Sequence, residues 1–119
     1  MTQYKLGEVE ASFAAIIWEN EPLSSSALVR LCEERLAWKK STTYTVLRRL
    51  CQRGIFRNED GVVTSLLGRE EFAALQSEEF VEQAFDGSLP KFLTAFISRK
   101  RLSDEEIAQL QRLIDENRR

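Results

Sequence analysis

Residues 38–54, Trp38-Lys39-Lys40-Ser41-Thr42-Thr43-Tyr44-Thr45-Val46-Leu47-Arg48-Arg49-Leu50-Cys51-Gln52-Arg53-Gly54, carry two patterns at once. Thr43, Val46, Leu47, Leu50 and Cys51 recur at helical spacing and make one face, and Gly54 supplies a stop, so the spacing predicts a helix over 41–53. On the opposite face Ser41, Tyr44, Thr45, Arg48 and Gln52 line up at i, i+3, i+4, i+7 and i+11, with no carboxylate among them. Hydroxyl, guanidinium and amide groups of this reach hydrogen-bond with base edges in a major groove and with phosphate oxygens. Lys39, Lys40, Thr42 and Arg49 flank the stripe as backbone anchors.

Upstream, the serine run Ser24–Ser26 and the face Leu28, Leu31, Cys32 and Leu36 predict a helix over 25–36. The serines read either as plain helix caps or as a phosphate-binding start. Trp38, in the short connection to the next helix, reads as a core anchor for that turn. Before it, Leu6, Val9, Phe13, Ile16 and Ile17 predict a first helix over 7–19, stopped by Pro22. Downstream, Ile55–Arg57 and Val62–Leu66 read as strands joined through Asn58-Glu59-Asp60-Gly61, a hairpin signal. Three helices followed by a hairpin is the order of a winged helix-turn-helix, with the 41–53 helix in the reading position. The hairpin tip carries two acids, Glu59 and Asp60, which argues against close wing contact with phosphate.

After Gly68 the composition turns to helix formers. Phe72, Leu75, Phe80, Val81, Ala84 and Phe85 spread over a fourth helix ended by Gly87; Ser88 and Pro90 open a fifth with Leu89, Phe92, Leu93, Phe96 and Ile97. Ser103-Asp104-Glu105-Glu106 is a capping box for a sixth, carrying Ile107, Leu110, Leu113 and Ile114. So much apolar surface in about 50 residues is hard for one small chain to cover. Two arrangements answer it: a self-contained helical core, or a two-fold dimer, in which Phe80, Leu89, Phe92, Leu93, Phe96, Ile97, Leu110, Leu113 and Ile114 form the dimerisation surface. The expected fold is mainly α with a small β-hairpin, a winged-helix DNA-binding region in 1–67 and a helical dimerisation region in 68–119.

The composition narrows the function classes. The 119 residues, 43% of them apolar, make one domain's worth of chain. The longest apolar run, Phe13–Trp18, is far below the roughly 20 residues of a membrane span, and no charged-then-apolar leader opens the chain, which reads as cytoplasmic, without membrane insertion. Cys32 and Cys51 sit among apolar neighbours without metal-ligand spacing and read as reduced core thiols. The chain has no histidine, and Glu78 and Glu79 read as a solvated helix face, so neither an enzyme nor a cofactor or metal site is expected. The net charge is −2, but residues 27–57 hold eight basic side chains against two acidic ones, a local excess of six that leaves −8 to the rest. That segregation suits one anionic partner on one face, double-stranded DNA.

Leu6-Gly7-Glu8-Val9-Glu10 leading to Ile17-Trp18, then Trp38 to Leu50 and Gly54, then Gly87-Ser88-Leu89 and Leu102-Ser103-Asp104-Glu105-Glu106-Ile107, together resemble the penicillinase-repressor (BlaI/MecI/CopY) family over nearly the whole chain. The resemblance implies a homodimeric winged-helix repressor on a pseudo-palindromic operator upstream of antibiotic-resistance genes. By position, it implies Ser41, Thr42, Tyr44 and Thr45 as base readers and Arg48 and Lys40 on phosphate. In the family's β-lactam branch a membrane sensor protease triggers cleavage in the dimerisation region, and the matching pair here is Ala95-Phe96. This chain departs from the best-known members at Ser41, where they carry Lys, at Tyr44, where they carry Arg or Gln, and at Ala95, where they carry Asn. It also lacks the C-terminal cysteine motif of the copper-responsive branch. Two other readings of the residues stand beside DNA repression: a winged-helix protein-interaction module, and a one-component repressor whose aromatic C-terminal helices take a small ligand.

Overall fold

The computed structural model describes residues 4–118. In chain order the elements are α1 (Glu8–Asn20), β1 (Leu23–Ser24), α2 (Ser25–Leu36), α3 (Lys40–Gln52), β2 (Phe56–Glu59), β3 (Val62–Ser65), α4 (Arg69–Phe85), α5 (Leu89–Arg99) and α6 (Asp104–Asn117). The chain divides into two compact units, the first ending at Glu79 and the second beginning at Phe80.

In the first unit the apolar faces of α1, α2 and α3 converge on one core. Phe13 and Ile17 of α1 meet Leu28 and Cys32 of α2 and Leu47 and Leu50 of α3; Ile55, Phe56, Val63 and Phe72 close it. Each such side chain removed from water contributes about 1.5–3 kcal/mol. Thr43, expected on this face, is buried there with its hydroxyl donating to the Lys39 carbonyl at 3.4 Å. Val9 departs from the expected stripe: at the first turn of α1 it stays 58% exposed. Glu79 is also more than a solvated acid, since Oε1 accepts the Tyr4 N–H at 3.1 Å.

The connection between α2 and α3 is short because one residue reverses the chain. Ala37 adopts the left-handed conformation, φ 56°, and its N–H donates to the Glu33 carbonyl at 3.1 Å. The Trp38 N–H donates to the Cys32 carbonyl at 3.3 Å, and the Trp38 ring stacks on Phe13 at 5.4 Å between centroids. The turn is thereby pinned to α1.

The wing has three strands in the order β1-β3-β2, one more than the hairpin the sequence predicts. Asp60 and Gly61, both at positive φ, form the two-residue turn between paired Glu59 and Val62, the backbone that an Asp-Gly hairpin requires. The added strand β1 is two residues long, too short to show an alternating pattern. It pairs Leu23 with Val63 and Ser24 with Val62. Glu21 reinforces the junction, accepting the Ser65 N–H and hydroxyl at 2.8 Å each. At the far end of the wing the Trp18 indole N–H donates to the Leu67 carbonyl at 3.0 Å, with the ring against Phe56 and Phe72.

In the second unit Ser88 caps α5 by accepting the Lys91 N–H at 3.2 Å, and Ser103 and Glu106 form a reciprocal capping box on α6. Phe80, Phe85, Phe92 and Phe96 make a chain of ring contacts at 5.5–6.2 Å. No side chain of α5 or α6 is buried. Among the described residues no helix is long and apolar enough to cross a membrane, and no group of side chains could hold a metal ion.

Both cysteines are free thiols, and burial pushes the pKa of each up from the ordinary thiol range. Cys51 is partly accessible and Cys32 is fully enclosed. Iodoacetamide should therefore label Cys51 first in the native protein, and Cys32 only on unfolding. Phe13→Ala should lower stability by about 3–5 kcal/mol in denaturant melts, since it empties the core and removes the stacking partner of Trp38.

Candidate nucleic-acid interface

Helix α3 starts differently from its neighbours. Ser24 caps α2 by accepting the Ala27 N–H at 3.0 Å, and α5 and α6 have serine caps too. Lys39, the N-cap of α3, makes no side-chain cap bond, and no acid stands in the first turn. The free N–H groups and the positive end of the helix dipole are left beside the exposed Lys39 and Lys40, a setting that attracts anions.

Along α3 the apolar face is spent on the core, so the rest must face outward. Ser41, Thr42, Thr45, Arg48, Arg49 and Gln52 are all exposed. Thr45 returns its hydroxyl hydrogen to the Ser41 carbonyl at 2.9 Å. Tyr44 is half-buried, and its phenol donates to Ser25 Oγ at 3.1 Å. Of the expected readers and anchors, α3 thus brings together Lys39, Lys40, Ser41, Thr42, Thr45 and Arg48 as one open surface, with Tyr44 tied back beside it.

Ion pairing sorts the basic residues into two groups. Among the described residues Lys39, Lys40 and Arg48 take part in no ion pair. Arg49 is held by Glu10 of α1 at 3.1 Å, and Arg53 lies 4.0 Å from the same carboxylate while donating to the Lys5 carbonyl at 2.8 Å. Arg57 is matched by Glu59 two residues along the same strand, β2, at 3.2 Å, which offsets one of the two acids at the wing tip and leaves Asp60 as the other. The Glu10–Arg49 contact spans 39 positions and leaves no trace in local sequence spacing. The Ser25–Tyr44 contact has a faint one, the serine run before α2.

The surface expected for dimerisation lies on the second unit. Phe80, Leu89, Phe96, Ile97, Leu113 and Ile114 are between 44% and 62% exposed, while Phe92, Leu93 and Leu110 are half-buried. Ala95 and Phe96 stand exposed in the middle of α5.

A helix-turn-helix backed by a three-stranded wing, with a third helix free of carboxylates, defines a winged-helix DNA-binding regulator. The family model described as "Penicillinase repressor" matches residues 6–116, and the chain belongs to that family, whose members are transcriptional regulators and not enzymes. The chain is similar to the penicillinase repressor of Bacillus licheniformis, 21% identical over 118 residues that cover 96% of this chain and 92% of that protein. It is similar as well to the methicillin resistance regulatory protein MecI of Staphylococcus aureus and of Staphylococcus epidermidis, each 22% identical over 116 residues and 94% of both chains.

The two arginines in sequence should separate in assay. Arg48→Ala should weaken binding to duplexes of every sequence and lower the slope of log affinity against log salt by about one, with the melting temperature unchanged. Arg49→Ala should in addition cost up to about 1 kcal/mol of stability, since it removes a half-exposed ion pair to α1. Fluorescence anisotropy across a salt series and thermal melts report both.

Proposed function

We propose that the chain is a dimeric transcriptional repressor that occupies a pseudo-palindromic operator and controls resistance genes of the β-lactam type. The observation that carries this reading is the exposed face at the start of α3 and along it: three cations with no ion pair among the described residues, hydroxyls between them, and no carboxylate. Ser41, Thr42, Tyr44 and Thr45 read base edges, while Lys39, Lys40, Arg48 and Arg49 hold the phosphate backbone. Residues 1–67 act as the DNA-binding region and 68–119 as the dimerisation region. The printed names of the relatives, a penicillinase repressor and a methicillin resistance regulator, support the choice of target genes.

The dimer follows from apolar surface. α5 and α6 bury no side chain within one chain, and a second copy covers Leu89, Phe96, Ile97, Leu113 and Ile114 by a two-fold contact. Two reading helices related by that axis enter major grooves about 34–36 Å apart. Repression is relieved by weakening the dimer, through cleavage near Ala95-Phe96 signalled by a membrane sensor protease. Because that bond lies inside α5, the helix opens locally before it is cut. The repressor works in the cytoplasm, where its DNA is.

Selection of bound fragments from a random duplex pool should yield an inverted repeat. Sedimentation should give a particle of two 13.7 kDa chains, and Leu113→Asp should shift it to one. A single chain that retains no duplex even in dilute buffer overturns the reading.

A further inference from the structure

Tyr44 differs from the other residues on the outer face of α3 in what it touches. Its ring is half-buried and its phenol is 3.1 Å from Ser25 Oγ, 19 positions earlier. Ser25 is the first residue of α2, and its own N–H donates to the Gly61 carbonyl in the wing turn at 2.8 Å. Ser25 therefore stands where the start of α2, the tip of the wing and the reading helix meet, and it is fixed by the backbone on two sides.

A phenol is the more acidic of two hydroxyls and the stronger donor, so the shared hydrogen belongs to Tyr44 and the alkyl oxygen of Ser25 accepts it. With its one hydrogen spent, the phenol oxygen keeps only lone pairs. Phosphate oxygens, guanine N7 and O6, adenine N7 and thymine O4 are acceptors and cannot bond to it; the amino groups of cytosine N4 and adenine N6 can.

We propose that Ser25 is a positioning residue which turns Tyr44 into an acceptor-only reader, selecting a cytosine or adenine amino group at one position of each operator half-site. The inference rests on α3 being the reading helix. It assigns Ser25 to specificity rather than to phosphate binding, and it gives Tyr44 a chemical preference that a freely rotating hydroxyl would lack. Two nearby hydroxyls are engaged elsewhere, Thr45 with the Ser41 carbonyl and Ser24 as the cap of α2, while Arg48 and Asn58 line the same surface cavity as Tyr44 with no hydrogen bond to the phenol among the described residues.

The test is selection from one random duplex pool with the full-length protein and its Tyr44→Phe, Ser25→Ala and Ser25→Thr variants, each checked by thermal melting. The unsubstituted protein should enrich cytosine or adenine roughly three- to tenfold at one position per half-site. Tyr44→Phe should flatten that position alone. Ser25→Ala, which frees the phenol hydrogen, should admit guanine or thymine there, and Ser25→Thr, which keeps the hydroxyl, should restore the original preference. The salt slope should stay unchanged in all of them. If the unsubstituted protein enriches a motif that Tyr44→Phe and Ser25→Ala reproduce position for position, or if Ser25→Ala lowers the salt slope by one, this inference fails while the repressor reading stands. If the unsubstituted protein enriches nothing, both fail together.

Discussion

A two-stranded hairpin is marginal in water, and the wing of this protein persists because the chain between α1 and α2 pairs with it. Leu23 and Ser24 add a third strand to β3, Glu21 accepts two bonds from Ser65, and Ser25 bonds the wing turn at Gly61. Ser24 at the same time caps α2. A few consecutive residues thus set the wing, the entry of α2 and, through Tyr44, helix α3 in one frame. A DNA reader depends on such a frame, because base edges are recognised only when side chains arrive at fixed positions.

What the sequence discloses follows from how far apart the cooperating residues lie. Helices α1 to α3 announce themselves through apolar periodicity and end signals only a few positions apart, and their bounds match expectation to within a residue or two; α5 and α6 begin where their capping serines place them. The Asp60-Gly61 turn is equally local. Strand β1 is invisible to the same reasoning, since two residues next to Pro22 have no period and exist as a strand only because Val62 and Val63 lie opposite. Val9 satisfies the spacing of α1 yet remains exposed, because the first turn of a helix can overrun the core it packs on.

The interface divides along the same line. That α3 turns a polar, positive edge outward can be read from its spacing. Which cations are ion-paired cannot, because Glu10 reaches Arg49 from another helix, while the adjacent Arg48 has no ion pair among the described residues. The tie of Tyr44 to Ser25 is likewise tertiary. Composition alone treats Arg48 and Arg49 as equals, whereas the structure exposes both and ties only Arg49 to a carboxylate of α1.

The uncapped start of α3 has a cost for the free protein. Lys39 and Lys40 lie at the positive end of the helix dipole, with Arg48 further along the same helix, so these like charges repel one another and the dipole end. Dissolved ions screen that repulsion, and they equally screen the pull of the cations on a nucleic-acid backbone. Ionic strength therefore acts in opposite directions on the two effects: the electrolyte that eases repulsion at the start of α3 is the one that weakens the attraction of its cations to a polyanion.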